Sequence, residues 1–399
     1  MSANSIKTKQ KNVSHTPELR FRKFNDVFTE KELGDLTSIT RLAGYEYSEY
    51  WKEDQNKEII ALRGYNIGKG KLNLRDLGYI SNDLSLKLQR SRLSKGDVVY
   101  PCVGSIGNAV VIEDDNKYHI QQNIAKITCG TDLSPYFLVQ FLISHCGVRE
   151  VNRFNASGAQ ANVLVGSLRK FRLHIPSLPE QQKIADFLGS VDTWLDNLRQ
   201  QKTTLENYKR GMMQKLFTQQ IRFKDDSGNE FPDWQEKELG SVCRIRTGKK
   251  DVNQGNPNGV YPFFTCAKQH TYSDAFSFDC DAILIAGNGE VGHSQKYSGR
   301  FEAYQRTYVL SDFKVSYNYM WTVIKTLFED YVTNQTQTGA MPYIKLGTLK
   351  SFSVPLPTEQ EQEKVANLLS ALDELITAKA EEIAKAEQWK KGLMQKMFV

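Results

Sequence analysis

Cysteine and histidine are few and scattered. Cys102, Cys129, Cys146, Cys243, Cys266 and Cys280 offer no C-x-x-C pair, and His15, His119, His145, His174, His270 and His293 form no H-E-x-x-H or H-x-x-x-H. That spacing excludes the usual zinc and dithiol sites, so no metal is expected in this chain and the cysteines read as buried thiols. Long apolar runs are also missing. None approaches the roughly 20 residues of a membrane-spanning helix. The opening "MSANSIKTKQKNVSHTPELR" is polar and lysine-rich with no apolar core, unlike a leader peptide or an anchor. Residues 1–16 read as a disordered lead-in, and the protein is expected in the cytoplasm with no membrane partner.

Signatures of catalysis are absent as well. "GYNIGKG" at 64–70 lacks the spacing and the Ser or Thr of a Walker loop. There is no G-x-S-x-G elbow. Pro232-Asp233 is followed by no Glu-x-Lys, and its next Asp-x-Lys, Asp312-Phe313-Lys314, lies far downstream; the Asn-Pro-Pro-aromatic and Asp-Pro-Pro-aromatic tetrapeptides of amino-methyltransferases do not occur. The chain reads as a binder, not an enzyme.

What is present is a repeat. "SGAQANVLVGSLRKFRLHIPSLPEQQKIADFLGSVDTWLDNL" with its later "YKRGMMQKLF" recurs 181 positions on as "TGAMPYIKLGTLKSFSVPLPTEQEQEKVANLLSALDELITAK" with "WKKGLMQKMF". The match fades upstream to "EKELG" at 30–34 and 236–240. The predicted order is a module over 17–175, a helical segment over 176–220, a second module over 221–356 and a second helical segment over 357–399.

The helical segments carry apolar heptads. In the first, Ile184, Val191, Leu198, Leu205 and Met212 run with Phe187, Trp194 and Tyr208. In the second, Val365, Leu372, Ala386 and Leu393 run with Leu368, Leu375 and Trp389, while Lys379 interrupts the line. Leu188, Leu195, Leu369, Ile376 and Ile383 widen the stripe. At about 1.5 Å per residue each helix reaches nearly 57 Å and must bury its stripe on a partner. The expected packing is one helix on the other as an antiparallel coiled coil, which puts the repeats in pseudo-twofold relation with an α/β module at each end.

"DAILIAGNGEVGH" at 281–293 spells G-x-G-x-x-G after an apolar run, as a dinucleotide-binding turn would. Such a turn opens a helix whose N-terminus holds the pyrophosphate. "HSQKYSGRFEAYQR" has no helical stripe, and the first module reads "DVVYPCVGSIGNAVVIE" with Cys102 where Gly287 stands. Both copies keep only G-x-x-G between β-type runs, which predicts a hairpin-type glycine turn. A nucleotide-cofactor enzyme built on Gly287–Gly292 and a plain coiled-coil scaffold are the alternatives. A single helix is expected over "SPYFLVQFLISHCGVREVNRF" and another over "YNYMWTVIKTLFEDYV".

Positive charge is concentrated early: residues 1–179 hold 25 Lys and Arg against 18 Asp and Glu, whereas 218–360 hold 15 against 16. A moderately basic balance fits nucleic acid.

On the doubled "IPSLPEQQKIADFL" and "VPLPTEQEQEKVANLL", the doubled "GMMQKLF" and "GLMQKMF", and the two strand-GxxG turns, the chain resembles the specificity subunits of type I restriction-modification systems from Pro17 to Val399. The resemblance implies two target-recognition domains reading the two halves of a split site in double-stranded DNA, held apart by the coiled coil. It implies no catalysis in this chain, two methylation subunits using S-adenosylmethionine, and two restriction subunits using ATP and Mg. Base contacts need hydrogen-bonding side chains on loops. The candidates are Ser105, Asn108, Gln121, Gln122, Asn123, Asn155, Ser157, Gln160 and Asn162 in the first module. In the second they are Asn288, Glu290, His293, Tyr304, Gln305, Arg306, Gln335, Gln337, Thr338 and Tyr343. Lys69, Lys71, Arg75, Lys249 and Lys250 are candidates for phosphate.

Overall fold

The computed structural model describes residues 16–154, 162–335 and 343–399. Asn155, Ser157, Gln160, Gln337 and Thr338 lie outside the described residues. The chain divides into two units, one formed by residues up to Leu198 with Glu382–Val399, the other by Arg199–Glu381. The two long helices, Leu178–Phe217 and Glu359–Met397, each contribute one half to either unit.

In the first unit, valine- and isoleucine-rich runs form an antiparallel sheet in the order Thr37–Arg41, Ile124–Cys129, Val98–Pro101, Val110–Val111. Period-two alternation turns Val98, Tyr100 and Ile127 into one core with Phe137, Phe141 and Leu142. Ile184, Leu188 and Met397 from the long helices, with Phe398 just after the second, complete that core. Each large apolar side chain so buried stabilises the unit by about 1.5–3 kcal/mol. A second sheet of Gly78–Ile80, Ile59–Leu62 and Tyr118–Ile120 packs Leu62 and Ile120 against Val99 and Val110.

The single helix expected after Ser134 is two helices, Pro135–Ile143 and His145–Phe154. Ser144 takes an extended conformation (φ −78°, ψ 172°). Its hydroxyl donates to Phe141 O and accepts from Cys146 N–H, a local alternative to the helical ladder. Gly147 lets the second helix turn this tightly, since a Cβ there would sit 2.3 Å from Leu142 O.

The second unit has a six-stranded sheet in the order Arg244–Thr247, Thr307–Ser311, Phe278–Ala286, Ser294–Ala303, Tyr261–Phe264, Thr271–Ser273. Its helix stays continuous from Tyr317 to Gln335, widening to a π turn at Ile324–Phe328. Thr322 and Thr326 donate to the carbonyls four residues back, Asn318 O and Thr322 O, a back-bonding that loosens the ladder. Ile283, Ile285 and Leu310 bury against Tyr319, Val323 and Phe328 and against Val365 and Leu369 of the C-terminal helix.

Both units close in the same way. Thr29–Glu32 pairs antiparallel with Arg172–Ile175, and Gln235–Glu238 with Ser353–Leu356. The repeated Glu-Gln then clamps the start of each helix. Glu180, fully buried, takes Arg20 Nε at 2.8 Å and Nη2 at 2.7 Å. Glu361, also fully buried, takes Arg222 Nε at 3.2 Å and Nη2 at 2.8 Å, with Trp234 Nε1 at 2.9 Å. Both guanidiniums are held charged beyond their usual range, first by that hydrogen bond. Gln181 accepts from Ser134 N–H and donates to Pro176 O, as Gln362 accepts from Ser316 N–H and donates to Pro357 O.

Among the heptad positions, Ile184, Val191 and Leu198 are buried in the first unit, joined by Ala386, with Phe187 and Leu393 packed at the edge of that cluster. Val365 and Leu372 are buried in the second unit, where Leu368 and Met212 pack partly buried and Leu205 is half-buried. The expected complementary line packs inward at Phe187 and Leu368 but not at its other four positions. Trp194 (42% exposed), Tyr208 (53%), Leu375 (54%) and Trp389 (47%) face outward. Leu188, Leu195 and Leu369 take the buried places instead, because a stripe that must cover a sheet module as well as a helix is wider than an a/d seam. No described helix is long and apolar enough to cross a membrane.

Candidate nucleic-acid interface

The glycine motif is a hairpin in both units. Phe278–Ala286 and Ser294–Ala303 pair antiparallel up to Ile285↔Ser294 across it, and Val98↔Val111 and Val99↔Val110 flank its counterpart. No helix follows Gly292, so the feature that would hold a pyrophosphate is replaced by a strand. Gly289, Gly292, Gly104 and Gly107 all have positive φ, which turns of this kind require. The equivalence extends to hydrogen bonds. Gly287 N–H donates to Arg306 O and its carbonyl accepts from Ile344 N–H; Cys102 N–H donates to Asn123 O and its carbonyl accepts from Val163 N–H.

These bonds gather separated loops around each turn. In the first unit Ser105 and Asn108 lie on the turn, Asn123 beside it, and exposed Asn162 bridges Val103. Gln121 and Gln122, both half-exposed, lead into Asn123. Asn108 is tied down, its amide donating to Ile67 O at 2.9 Å. Gly70 N–H donates to Ala109 O, which brings exposed Lys69 to the same turn. Asn123 has φ +64° and serves the bend. Lys71 instead reaches Asp196 on the long helix at 2.7 Å, and Arg75 is exposed on its loop.

In the second unit Asn288 bridges Tyr343, Arg306 lies behind Gly287, and His293 N–H donates to Glu290 O. Tyr304 N–H donates to Phe264 O, while Gln305 spends its amide on Asp251 at 3.1 Å. Of Gln335 only the backbone, at the end of its helix, is described. Lys249 is exposed, whereas the ammonium of Lys250 is engaged within the unit. It lies 3.2 Å from buried Glu302 and donates to Ser273. A buried carboxylate requires that cation, so Lys250 is committed inside the unit.

A cleft of about 210 Å³ opens beside this turn, lined by Lys268, Glu290, His293, Lys325 and Glu329. Burial first, then Lys325 and Lys268, push the His293 imidazole below its usual range, leaving it neutral near pH 7. Lys268 was not singled out by sequence reasoning. It lies in "TCAKQH", between two short strands, and tertiary hydrogen bonds, among them Glu290 N–H to Cys266 O, place that loop against the turn. No local pattern carries this pairing.

Comparison with known proteins agrees with the doubled architecture. A family model described as the type I restriction modification DNA specificity domain matches residues 25–207 and again 232–388. The chain is 36% identical over 140 residues to the EcoDI type I restriction enzyme specificity subunit of Escherichia coli, a match covering 35% of this chain and 31% of that protein. It is 25% identical over 255 residues to the MjaVIII specificity subunit of Methanocaldococcus jannaschii, covering 56% and 60% respectively. These matches thus span less than two thirds of either relative. The fold is shared with the crystal structure of a type I S subunit from M. genitalium, at TM-score 0.61 and 16% identity over 96% of this chain and 99% of that one.

Proposed function

The chain belongs to the type I restriction-modification DNA specificity family, and on that premise we propose that it is the sequence-reading subunit of such a system. Each unit reads one half of a bipartite, asymmetric target in double-stranded DNA. The two long helices, packed as an antiparallel coiled coil, set the spacer. The reading is carried by one observation: the two units share their closing ribbon, Glu-Gln clamp and hairpin geometry while their turns present different side chains, Ser105 and Asn108 in one and Glu290 and His293 in the other. Constant scaffold with variable loops is what two different half-sites on one rigid frame require.

In this reading the chain itself is non-catalytic. S-adenosylmethionine, ATP and Mg act on the partner subunits, two for methylation and two for restriction. The outward side chains of the helices support two copies of one partner. Trp194 and Trp389 stand 6.1 Å apart, ring edge to face, beside Phe187, and the repeat places Leu375 and Tyr208, also exposed, at the equivalent positions of the second unit. Exposed apolar groups of this size mark association surfaces.

Co-expression of the full chain with a type I methylation subunit, followed by methylome sequencing, tests the proposal. The expected result is one split motif with two unlike halves and a fixed spacer. Methylation without a sequence motif would overturn it.

A further inference from the structure

In the second unit the loop around Lys268 is strapped to the glycine turn. Glu290 N–H donates to Cys266 O at 3.3 Å, and the Gln295 amide donates to Ala267 O at 3.4 Å and to Lys268 O at 3.3 Å. The strapping holds Lys268 Nζ 3.7 Å from Glu290 Oε2, with the two side chains 70% and 55% exposed. That is beyond hydrogen-bond distance, and a pair so open to water contributes little to folding. The contrast is Lys250, whose charge is used by buried Glu302. Lys268 and Glu290 thus stand as a donor-only and an acceptor-only group side by side on a braced backbone.

We propose that Lys268 and Glu290 read one G·C base pair in the half-site of this unit, Lys268 on the guanine and Glu290 on the cytosine amino group. The inference rests on the DNA-reading function proposed above. In the major groove guanine presents N7 and O6 as neighbouring acceptors, and its cytosine presents the N4 donor. O6 and N4 are hydrogen-bonded to each other, about 2.9 Å apart, so acceptor and donor lie side by side as the ammonium and carboxylate do. T·A keeps the pattern with O4 and N6, but the thymine methyl replaces N7 and gives the ammonium one acceptor fewer. C·G and A·T reverse it, setting amino group against ammonium and oxygen against carboxylate. The ranking is therefore G·C first, T·A second, and C·G and A·T last. The first unit has Ser105 at the place of Glu290, so this charge pairing belongs to the second unit alone.

The test uses the full chain in complex with its methylation subunit, with competition binding to duplexes carrying all four base pairs at every position of both half-sites. Wild type should show the stated ranking at one G·C position of one half-site, with discrimination of about tenfold to hundredfold. Lys268→Met should bring G·C and T·A to near equality there, and Glu290→Gln should admit C·G and A·T at least tenfold better. The other half-site, unchanged in both variants, reports that the complex is intact. Unaltered discrimination in the variants overturns the inference, as does equal weakening for all four base pairs. A wild-type complex with no sequence preference anywhere overturns the DNA-reading function itself, and that result is distinct from failure of the variants alone.

Discussion

The backbone N–H of Leu19 donates to Lys396 O at 2.9 Å. In the other unit Ile221 N–H donates to Lys215 O at 3.3 Å. Lys396 and Lys215 are equivalent in the repeat, and "LRF" after the first bond answers "IRF" after the second. One contact is made by segments far apart in the chain, the other by a continuous turn. A chain joined from Val399 to Thr16 by a short linker and reopened between Thr218 and Gln220 should therefore fold and keep its target. Circular dichroism and methylome sequencing of the permuted protein check this; loss of the folded state would refute the equivalence.

The Glu-Gln clamp should dominate local stability. Among the described residues, Arg222→Ala leaves buried Glu361 with Trp234 as its one remaining side-chain donor, and removing one partner of such a pair costs about 3–5 kcal/mol. Urea unfolding followed by hydrogen exchange within Arg199–Glu381 should show a loss of this order. Arg20→Ala should do the same to the first unit through Glu180.

Gly287 is needed where Cys102 is not. A Cβ at 287 would meet Arg306 O at 2.5 Å and the Tyr308 ring at 3.0 Å. Gly287→Ala should destabilise the second unit by about 1–3 kcal/mol and weaken one half-site only. Thermal unfolding and the methylation motif give the two readouts, and an unchanged melting temperature would be the contrary result.

Acid sensitivity should come partly from His119. The ring is fully buried, with Nδ1 2.9 Å from Ile120 O and Nε2 3.2 Å from Leu88 O. Burial first, and also Arg92 and Lys126, lower its pKa. The unfolded chain then takes up a proton below about pH 6.5 that the folded chain resists, so stability is present above that pH and falls as pH drops through it. His119→Gln should flatten the stability profile below about pH 6.5, measured by denaturant midpoints. An identical slope would assign the effect elsewhere.

If the helices set the spacer, inserting four residues between Leu198 and Leu205, with a matching insertion in the C-terminal helix to preserve packing, adds about 6 Å. The spacer should grow by about two base pairs, at roughly 3.4 Å each. Methylome sequencing that shows the old spacer with both halves still read would refute the ruler.

The repeat, the long helices and the glycine hairpin were legible because each is a local pattern of period or punctuation. The outward turn of Trp194, Tyr208, Leu375 and Trp389 was not, since heptad spacing says which residues share a stripe and not how wide a surface covers it. The break at Ser144 depended on a hydroxyl competing with the helix ladder. Lys250 and Lys268 look alike in the sequence. Only the fold gives one to buried Glu302 and leaves the other facing solvent beside Glu290.

The paired ribbons Thr29–Glu32 with Arg172–Ile175 and Gln235–Glu238 with Ser353–Leu356 make the points of entry and exit of each module neighbours. The helical text that follows each exit is closely alike in the two copies. In genetic terms each module is a cassette. A crossover within these flanks would replace everything between the ribbons and leave the clamp and helices as they were; under the proposed function, one recombination would then exchange a half-site without refitting the frame that carries it.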